Sequence, residues 1–144
     1  MNALTVNLES VIEMTDEQFF RLCQKNRELR FERTANGELI IILPTGGETG
    51  NRNAGITAQI CIWNDQNKEG IVFDSSTCFK LPNGADRSPN ASWINLERWN
   101  SLTEEEKEKF PPIFPDFVIE LLSPTDSLKA TQEKMKHYDE ALYR

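Results

Sequence analysis

A predicted β-hairpin in the first third of the chain places the strongest constraint on the fold. Asn36-Gly37 lies between two strand-like runs, residues 29–34 and 38–43, and this dipeptide is a strong short-range signal for a turn between strands. The second run, from Leu39 to Leu43, is apolar throughout, so both of its faces are expected to be covered. Further layers of structure must therefore pack against the hairpin.

The remaining segments indicate an α/β or α+β protein, with a mixed sheet flanked by helices. Thr15 is a predicted N-cap, and the spacing of Ile56, Ile60 and Trp63 is typical of an amphipathic helix. The predicted helices cover about residues 15–26, 50–66 and 96–109, and the last begins at Thr131. The predicted strands outside the hairpin cover about residues 71–74, 77–81, 88–94 and 117–122. Because no repeat or linker interrupts the pattern, residues 1–144 are expected to form one domain.

The composition excludes several classes of protein. No apolar run approaches the roughly 20 residues that a membrane span needs, and the first residues lack the pattern of a signal peptide. The 3 cysteines include no C-x-x-C pair and are expected to be reduced thiols. The single histidine, His137, excludes a histidine-rich zinc site. We therefore predict a cytoplasmic protein with no membrane partner.

The formal net charge of −7 argues against an extensive DNA-binding surface, because nucleic-acid-binding proteins usually present a basic face. It is compatible with a small basic rim around a carboxylate-lined cleft. The candidates for such a rim are Arg30, Arg33, Arg52, Arg87, Lys129, Lys134 and Lys136. Most of these side chains are expected to be ordinary solvated charges.

Glu120 lies inside an otherwise apolar run, residues 117–122. Burying an unmatched polar group costs roughly 2–7 kcal/mol, and a charged group costs more, so a carboxylate in such a strand needs a partner. Two interpretations remain open. Glu120 is a metal ligand or cleft carboxylate, or else it is a solvent-facing strand end or a member of a structural ion pair.

Oxygen-bearing side chains alternate along two of the predicted strands. Asp116 shares a strand face with Glu120, and Asp86 shares one with Asn90. Such faces suit a hard cation such as Mg²⁺, which polarises a phosphodiester and lowers the pKa of an attacking water. Lys134, on the helix after the Glu120 strand, would add a positive charge near the phosphate, although an exposed helix lysine is the default interpretation.

An ordered set of short motifs covers nearly the whole chain. They are Arg30-Phe31-Glu32-Arg33-Thr34, Asn36-Gly37-Glu38-Leu39, Pro44-Thr45-Gly46-Gly47, Arg87 to Trp93, Pro115 to Pro124, Lys134-Met135 and Tyr138. In this order they resemble the Uma-type family of restriction endonucleases, a bacterial family within the PD-(D/E)XK nuclease superfamily. The resemblance implies a restriction-endonuclease-like fold and Mg²⁺-dependent hydrolysis of DNA phosphodiester bonds, with Mn²⁺ as an alternative cation.

The resemblance also implies roles for four residues. The Pro-Asp motif of the superfamily falls on Pro89-Asn90 and its second carboxylate on Glu120, which gives Asn90 and Glu120 as metal ligands. The superfamily lysine normally lies two residues after that carboxylate, where this chain has a leucine. The catalytic lysine is therefore expected to be Lys134, acting with Glu120. Glu32 matches an acidic position on the first hairpin strand and is expected to assist the metal or the water as a third catalytic residue.

Two features depart from the family pattern. Asn90 stands where the family has aspartate, and an amide oxygen can bind a cation but brings no charge. After Tyr138 the family continues through a glycine and a further apolar strand, whereas this sequence ends at Arg144, and an open sheet edge would favour a homodimer. The alternative function is a catalytically impaired nuclease-fold protein that binds nucleic acid or a protein partner, or that uses the fold only for interaction.

Overall fold

The computed structural model describes residues 3–124 and 126–142, and the side chains of these residues up to Asp139. The helices of the described residues are α1 (Asp16–Lys25), α2 (Gly47–Asn67), α3 (Leu96–Asn100), α4 (Glu104–Glu108) and α5 (Leu128–Leu142). The strands are β1 (Ala3–Val6), β2 (Arg30–Arg33), β3 (Leu39–Ile42), β4 (Gly70–Asp74), β5 (Phe79–Lys80), β6 (Asp86–Arg87), β7 (Ala91–Asn95) and β8 (Phe117–Ile119). None of these helices is long and apolar enough to cross a membrane.

Within the described residues, the strands form two antiparallel sheets. The strand order of the first sheet is β1-β3-β2-β6-β5, and that of the second is β4-β7-β8. The predicted α+β class is confirmed, but two antiparallel sheets take the place of one mixed sheet. The long helix α2 carries the chain from the first sheet to the second. It does not return the chain to a parallel neighbour in the same sheet, as a parallel crossover would.

The predicted hairpin is present as β2 and β3, in which Arg33 and Leu39 form the pair next to the turn. Gly37 has a φ of 86°, and its N–H donates to the carbonyl of Thr34 at 3.0 Å. Asn36-Gly37 therefore ends a longer turn and does not form a two-residue loop, and glycine supplies the positive φ without strain. β3 pairs with β1 on one edge and β2 on the other, as its apolar sequence favours.

The predicted strand over residues 88–94 is present only from Ala91 onward, because residues 88–90 connect the two sheets. β6 ends at Arg87 in the first sheet, and β7 begins at Ala91 in the second. The connecting residues include Pro89, which has no N–H to donate to a strand ladder. Asp86 and Asn90 therefore lie in different segments and do not share a strand face as the sequence alternation predicted.

Two apolar clusters hold the helices against the sheets. The first contains Phe19, Phe31 and Cys78, and the second contains Phe79, Leu81, Ala85, Ile94, Ile113 and Tyr138. Tyr138 is a residue of α5, so its burial fixes one face of that helix against the core. Lys134 lies one turn earlier on the same face, because side chains four residues apart in a helix lie above one another.

A network of ion pairs fixes α1 to the first sheet. Arg33 donates to Asp86 at 2.7 Å and to Asp16 at 2.6 Å, and Lys80 donates to Asp16 at 2.7 Å. The guanidinium of Arg33 also lies 4.8 Å from the centre of the Phe19 ring. Asp86 is thereby committed to a structural ion pair and is not part of the cleft described next.

Candidate active site

A cleft between the first sheet and α5 contains most of the residues that the sequence singled out. Its volume is about 470 Å³, and its walls come from β1, β3 and α5. Arg87, Glu120 and Lys134 line it, and the side chains of Glu120 and Lys134 are only 4% and 5% exposed. We refer to this cavity as the Glu120 cleft, with these buried groups as its floor.

Glu32, on β2, lies beneath the floor of the cleft and is 0% exposed. Its Oε1 accepts from Lys134 Nζ at 2.8 Å and from the Ser88 backbone N–H at 2.9 Å, and its Oε2 accepts from Arg87 Nη1 at 2.9 Å. Burial opposes ionisation of Glu32, but the charges of Lys134 and Arg87 lower its pKa below the ordinary 4.5. Glu32 is therefore a charged carboxylate with both oxygens bound by protein donors.

Lys134 connects the two carboxylates of the site. Its Nζ lies 2.8 Å from Glu32 Oε1 and 2.8 Å from Glu120 Oε1, and it also donates to the Ser88 carbonyl at 3.3 Å. The burial of Lys134 follows from the packing of Tyr138, one turn later on α5. The default interpretation of Lys134 as an exposed helix lysine is therefore wrong.

Glu120 directly follows β8, where the ladder with β7 ends. Its Oε1 receives the Lys134 ammonium and also accepts from the Tyr138 hydroxyl at 3.3 Å. Burial raises the pKa of Glu120 above the ordinary 4.5, and repulsion from Glu32 raises it further. The positive charge of Lys134 acts in the opposite direction and lowers this pKa. Ionised Glu120 is therefore held at a cost in free energy, as is typical of functional carboxylates but also found in structural ion-pair networks.

The raised pKa of Glu120 predicts how stability depends on pH. A carboxyl whose pKa is higher in the folded state contributes stability below 4.5 that is lost as the pH rises through the folded pKa. We expect the stability of the wild type relative to Glu120→Gln to fall as the pH rises above 4.5. Denaturant unfolding at a series of pH values measures this, with Glu133→Gln, at an exposed position of α5, as control. A constant difference across the series would contradict the assignment.

Ala91 and Ile119 form the end pair of the β7–β8 ladder. Asn90 and Glu120 lie one position beyond this pair, opposite each other. The Oδ1 of Asn90 accepts from the Leu121 backbone N–H at 2.9 Å. An aspartate making the same contact would keep a second oxygen for a cation, whereas the second terminal atom of Asn90 is an amide nitrogen that can only donate. Asn90 therefore offers a cation a single neutral oxygen that is already hydrogen bonded.

Three contacts of the site were missed by sequence reasoning. Arg87 was assigned no role beyond a basic rim, but it is buried and joins Glu32 to His137, with Arg87 Nη2 3.0 Å from His137 Nδ1. A guanidinium only donates, so His137 Nδ1 accepts and the imidazole proton is on Nε2. The Ser88 backbone and the Tyr138 hydroxyl complete the contacts of the two carboxylates. Arg87, Ser88 and Tyr138 belonged to the motifs of the family resemblance, but no sequence pattern indicated these contacts.

A larger cavity, of about 540 Å³, lies on the other side of the hairpin turn, beside Arg33 and Lys80. Both cations are already paired with Asp16 and Asp86, so neither is available to bind a phosphate there. No group of three or more histidine, cysteine or acidic side chains within the described residues could hold a metal ion. The Glu120 cleft therefore remains the candidate active site.

The α+β architecture, with an acidic strand end facing a buried lysine, defines a restriction-endonuclease-like protein. A family model described as "Putative restriction endonuclease", Uma2, matches residues 16–142. The chain therefore belongs to the Uma2 family, as the sequence motifs indicated. None of the curated proteins compared with the chain matches it.

Proposed function

We propose that the protein is a metal-dependent endonuclease that hydrolyses DNA phosphodiester bonds in the Glu120 cleft. The observation that carries this proposal is the pairing of Glu120 with Lys134 at 2.8 Å, with both side chains buried at the floor of the cleft. Membership in a family of restriction endonucleases gives the reaction class. A buried carboxylate and a buried ammonium are the groups that phosphodiester hydrolysis needs for binding a cation and stabilising phosphate charge.

Glu120, at the floor of the cleft, and Asn90, at the facing position just beyond the β7–β8 ladder, carry donor atoms that fit Mg²⁺ or Mn²⁺ as a weak site. Both contacts described for Glu120 use Oε1, which leaves Oε2 for a cation, and Asn90 Oδ1 has a second lone pair. Hard cations accept such oxygen ligands and complete their shell with water and substrate phosphate. When bound, the cation would polarise the phosphodiester and lower the pKa of an attacking water.

Lys134 is the residue proposed to stabilise the negative charge that develops on the phosphate or to orient the water. Glu32 and the Ser88 carbonyl fix the position of its ammonium group. Since both oxygens of Glu32 are bound by protein donors, we propose that Glu32 positions Lys134 and does not touch the metal or the water. Arg87 donates to the second oxygen of Glu32. The negative charge of Glu32 is therefore shared between Arg87 and Lys134.

A second candidate function follows from Asn90. The hydrogen bond from Leu121 to its only side-chain oxygen weakens the cation site, and the net charge is −7. A catalytically impaired protein that retains the fold and binds nucleic acid or a protein partner would have these features. The Asn90→Asp variant separates the two candidates, because it restores the carboxylate without changing the rest of the cleft.

Cleavage of supercoiled plasmid and of circular single-stranded DNA tests the proposal. The wild type is expected to cleave in Mg²⁺ or Mn²⁺ and to stop in EDTA. Glu120→Ala should lose at least about 100-fold in rate, the scale for removing one stabilising group from an active site. Glu108→Ala, at an exposed position of α4 outside the cleft, should not. Undiminished cleavage by Glu120→Ala would place the reaction elsewhere. If neither the wild type nor Asn90→Asp cleaves, the second candidate function is favoured.

A further inference from the structure

The depth, volume and charge of the Glu120 cleft limit the form of nucleic acid that can reach its floor. We infer that the substrate is DNA with an unpaired strand, either single-stranded DNA or a frayed or flapped end, and not a continuous duplex. This inference rests on the proposed function, because it concerns the substrate of the same site.

The depth of the reactive groups is the first argument. Glu120 and Lys134 are nearly enclosed, with 4% and 5% of their side chains exposed. A phosphate can contact them only if it enters the cleft between β1 and α5. In a duplex, each phosphate is attached to a nucleotide that is stacked and paired, and enzymes that need such a nucleotide in a pocket act on single strands or unstack it.

The volume of the cleft is the second argument. A cavity of about 470 Å³ lies within the range of roughly 300–1,000 Å³ that accommodates one drug-sized ligand. Ala3 and Thr5 of β1 form one wall, and Ala130 and Thr131 of α5 form another. The space suits a short stretch of a single DNA strand. The complementary strand of a duplex would have to lie outside these walls.

The charge of the lining is the third argument. Among the described residues that line the cleft, Arg87 and Lys134 are the only arginine and lysine, and both are paired with Glu32. Glu38 and Glu133 bring negative charge to the same lining. Duplex-binding proteins neutralise many phosphates with basic side chains, so this lining is suited to contact with only one or two phosphates.

The polar groups of the walls suit unpaired bases. Thr5, Asn36 and Thr131 contribute hydroxyl and amide side chains to the lining. Such groups can hydrogen bond to the Watson–Crick edges of bases, which are accessible in a single strand and occupied by the partner base in a duplex. The walls therefore offer neutral hydrogen bonds where a duplex-binding surface would offer cations.

The test compares one labelled oligonucleotide as a single strand, as a blunt duplex and as a duplex with an unpaired flap, with the wild-type protein and Mg²⁺. The unpaired forms should be cleaved at least about tenfold faster, because unstacking and unpairing cost a few kcal/mol. Equal or faster cleavage of the blunt duplex would overturn the inference and leave the proposed function intact. Absence of cleavage of every form, by Asn90→Asp as well, would overturn both.

A pair of helix variants connects the strand preference to the cleft. Ala130→Trp narrows the cleft from α5, whereas Gln132→Trp adds the same side chain at a nearby exposed, uncharged position outside the lining. Ala130→Trp is expected to slow single-strand cleavage at least about tenfold relative to Gln132→Trp, with thermal unfolding as the check on folding. Equal rates for the two variants would show that the strand does not bind in the cleft and would contradict the inference.

Discussion

A Glu32→Gln variant is expected to be about 3–5 kcal/mol less stable than the wild type at neutral pH, the scale for breaking a buried ion pair from one side. Glu32 is 0% exposed and accepts hydrogen bonds from Lys134, Arg87 and the Ser88 backbone. Glutamine keeps the shape but removes the charge, and its amide nitrogen faces at least one of these donors. Denaturant unfolding followed by circular dichroism measures the change.

The matched control for this prediction is Glu133→Gln, the same substitution at an exposed position of α5. It is expected to change the free energy of unfolding by no more than about 0.5 kcal/mol. A loss of less than about 1 kcal/mol in Glu32→Gln would mean that Lys134 and Arg87 do not depend on this carboxylate. The proposed positioning of Lys134 by Glu32 would then fail.

An Asn90→Asp variant is expected to need at least about tenfold less Mg²⁺ for half-maximal cleavage than the wild type. The bond from the Leu121 N–H occupies one oxygen of residue 90, so an aspartate would keep its second oxygen for the cation and would add a negative charge. One unit charge at 4 Å contributes about 1 kcal/mol in water and about 4 kcal/mol near a protein surface. Cleavage rates over a Mg²⁺ titration measure the change.

The same substitution has a predicted cost in the absence of metal. A carboxylate at position 90 would lie opposite Glu120 at the end of the β7–β8 ladder, and two like charges on neighbouring strands destabilise a sheet. Asn90→Asp should therefore melt below the wild type in EDTA and gain more thermal stability from Mg²⁺. If Mg²⁺ stabilises both proteins equally, the cation does not bind between positions 90 and 120.

Local patterns predicted the elements of the fold better than their arrangement. The hairpin and α1 follow from short-range signals, namely the Asn36-Gly37 turn and the Thr15 cap, which forms a capping box with Gln18. The division into two sheets does not follow from such signals. It depends on where residues 88–90 leave the first sheet, and this is set by tertiary pairing of β6 with β2 and of β7 with β4.

A residue of the candidate site could be predicted from the sequence where its side chain did not fit its local pattern of polarity. Glu120 is a carboxylate in an apolar run, so its sequence context alone indicated it. For Lys134 the local pattern left an exposed helix lysine as the default and only the family resemblance favoured a role in the site, since its contact with Glu32 spans 102 residues. Arg87 was missed because β6 has 2 residues, too few for a periodic pattern, and its partner Glu32 is 55 residues away.

The central claim is that a cation held between residue 90 and Glu120 carries out the hydrolysis. Comparing single-stranded DNA cleavage by Asn90→Asp with that by the double variant Asn90→Asp/Glu120→Ala, over one Mg²⁺ titration, tests it most directly. The account predicts that removing Glu120 abolishes both the gain from Asp at position 90 and the Mg²⁺ dependence. Cleavage by the double variant at the rate of Asn90→Asp would contradict it.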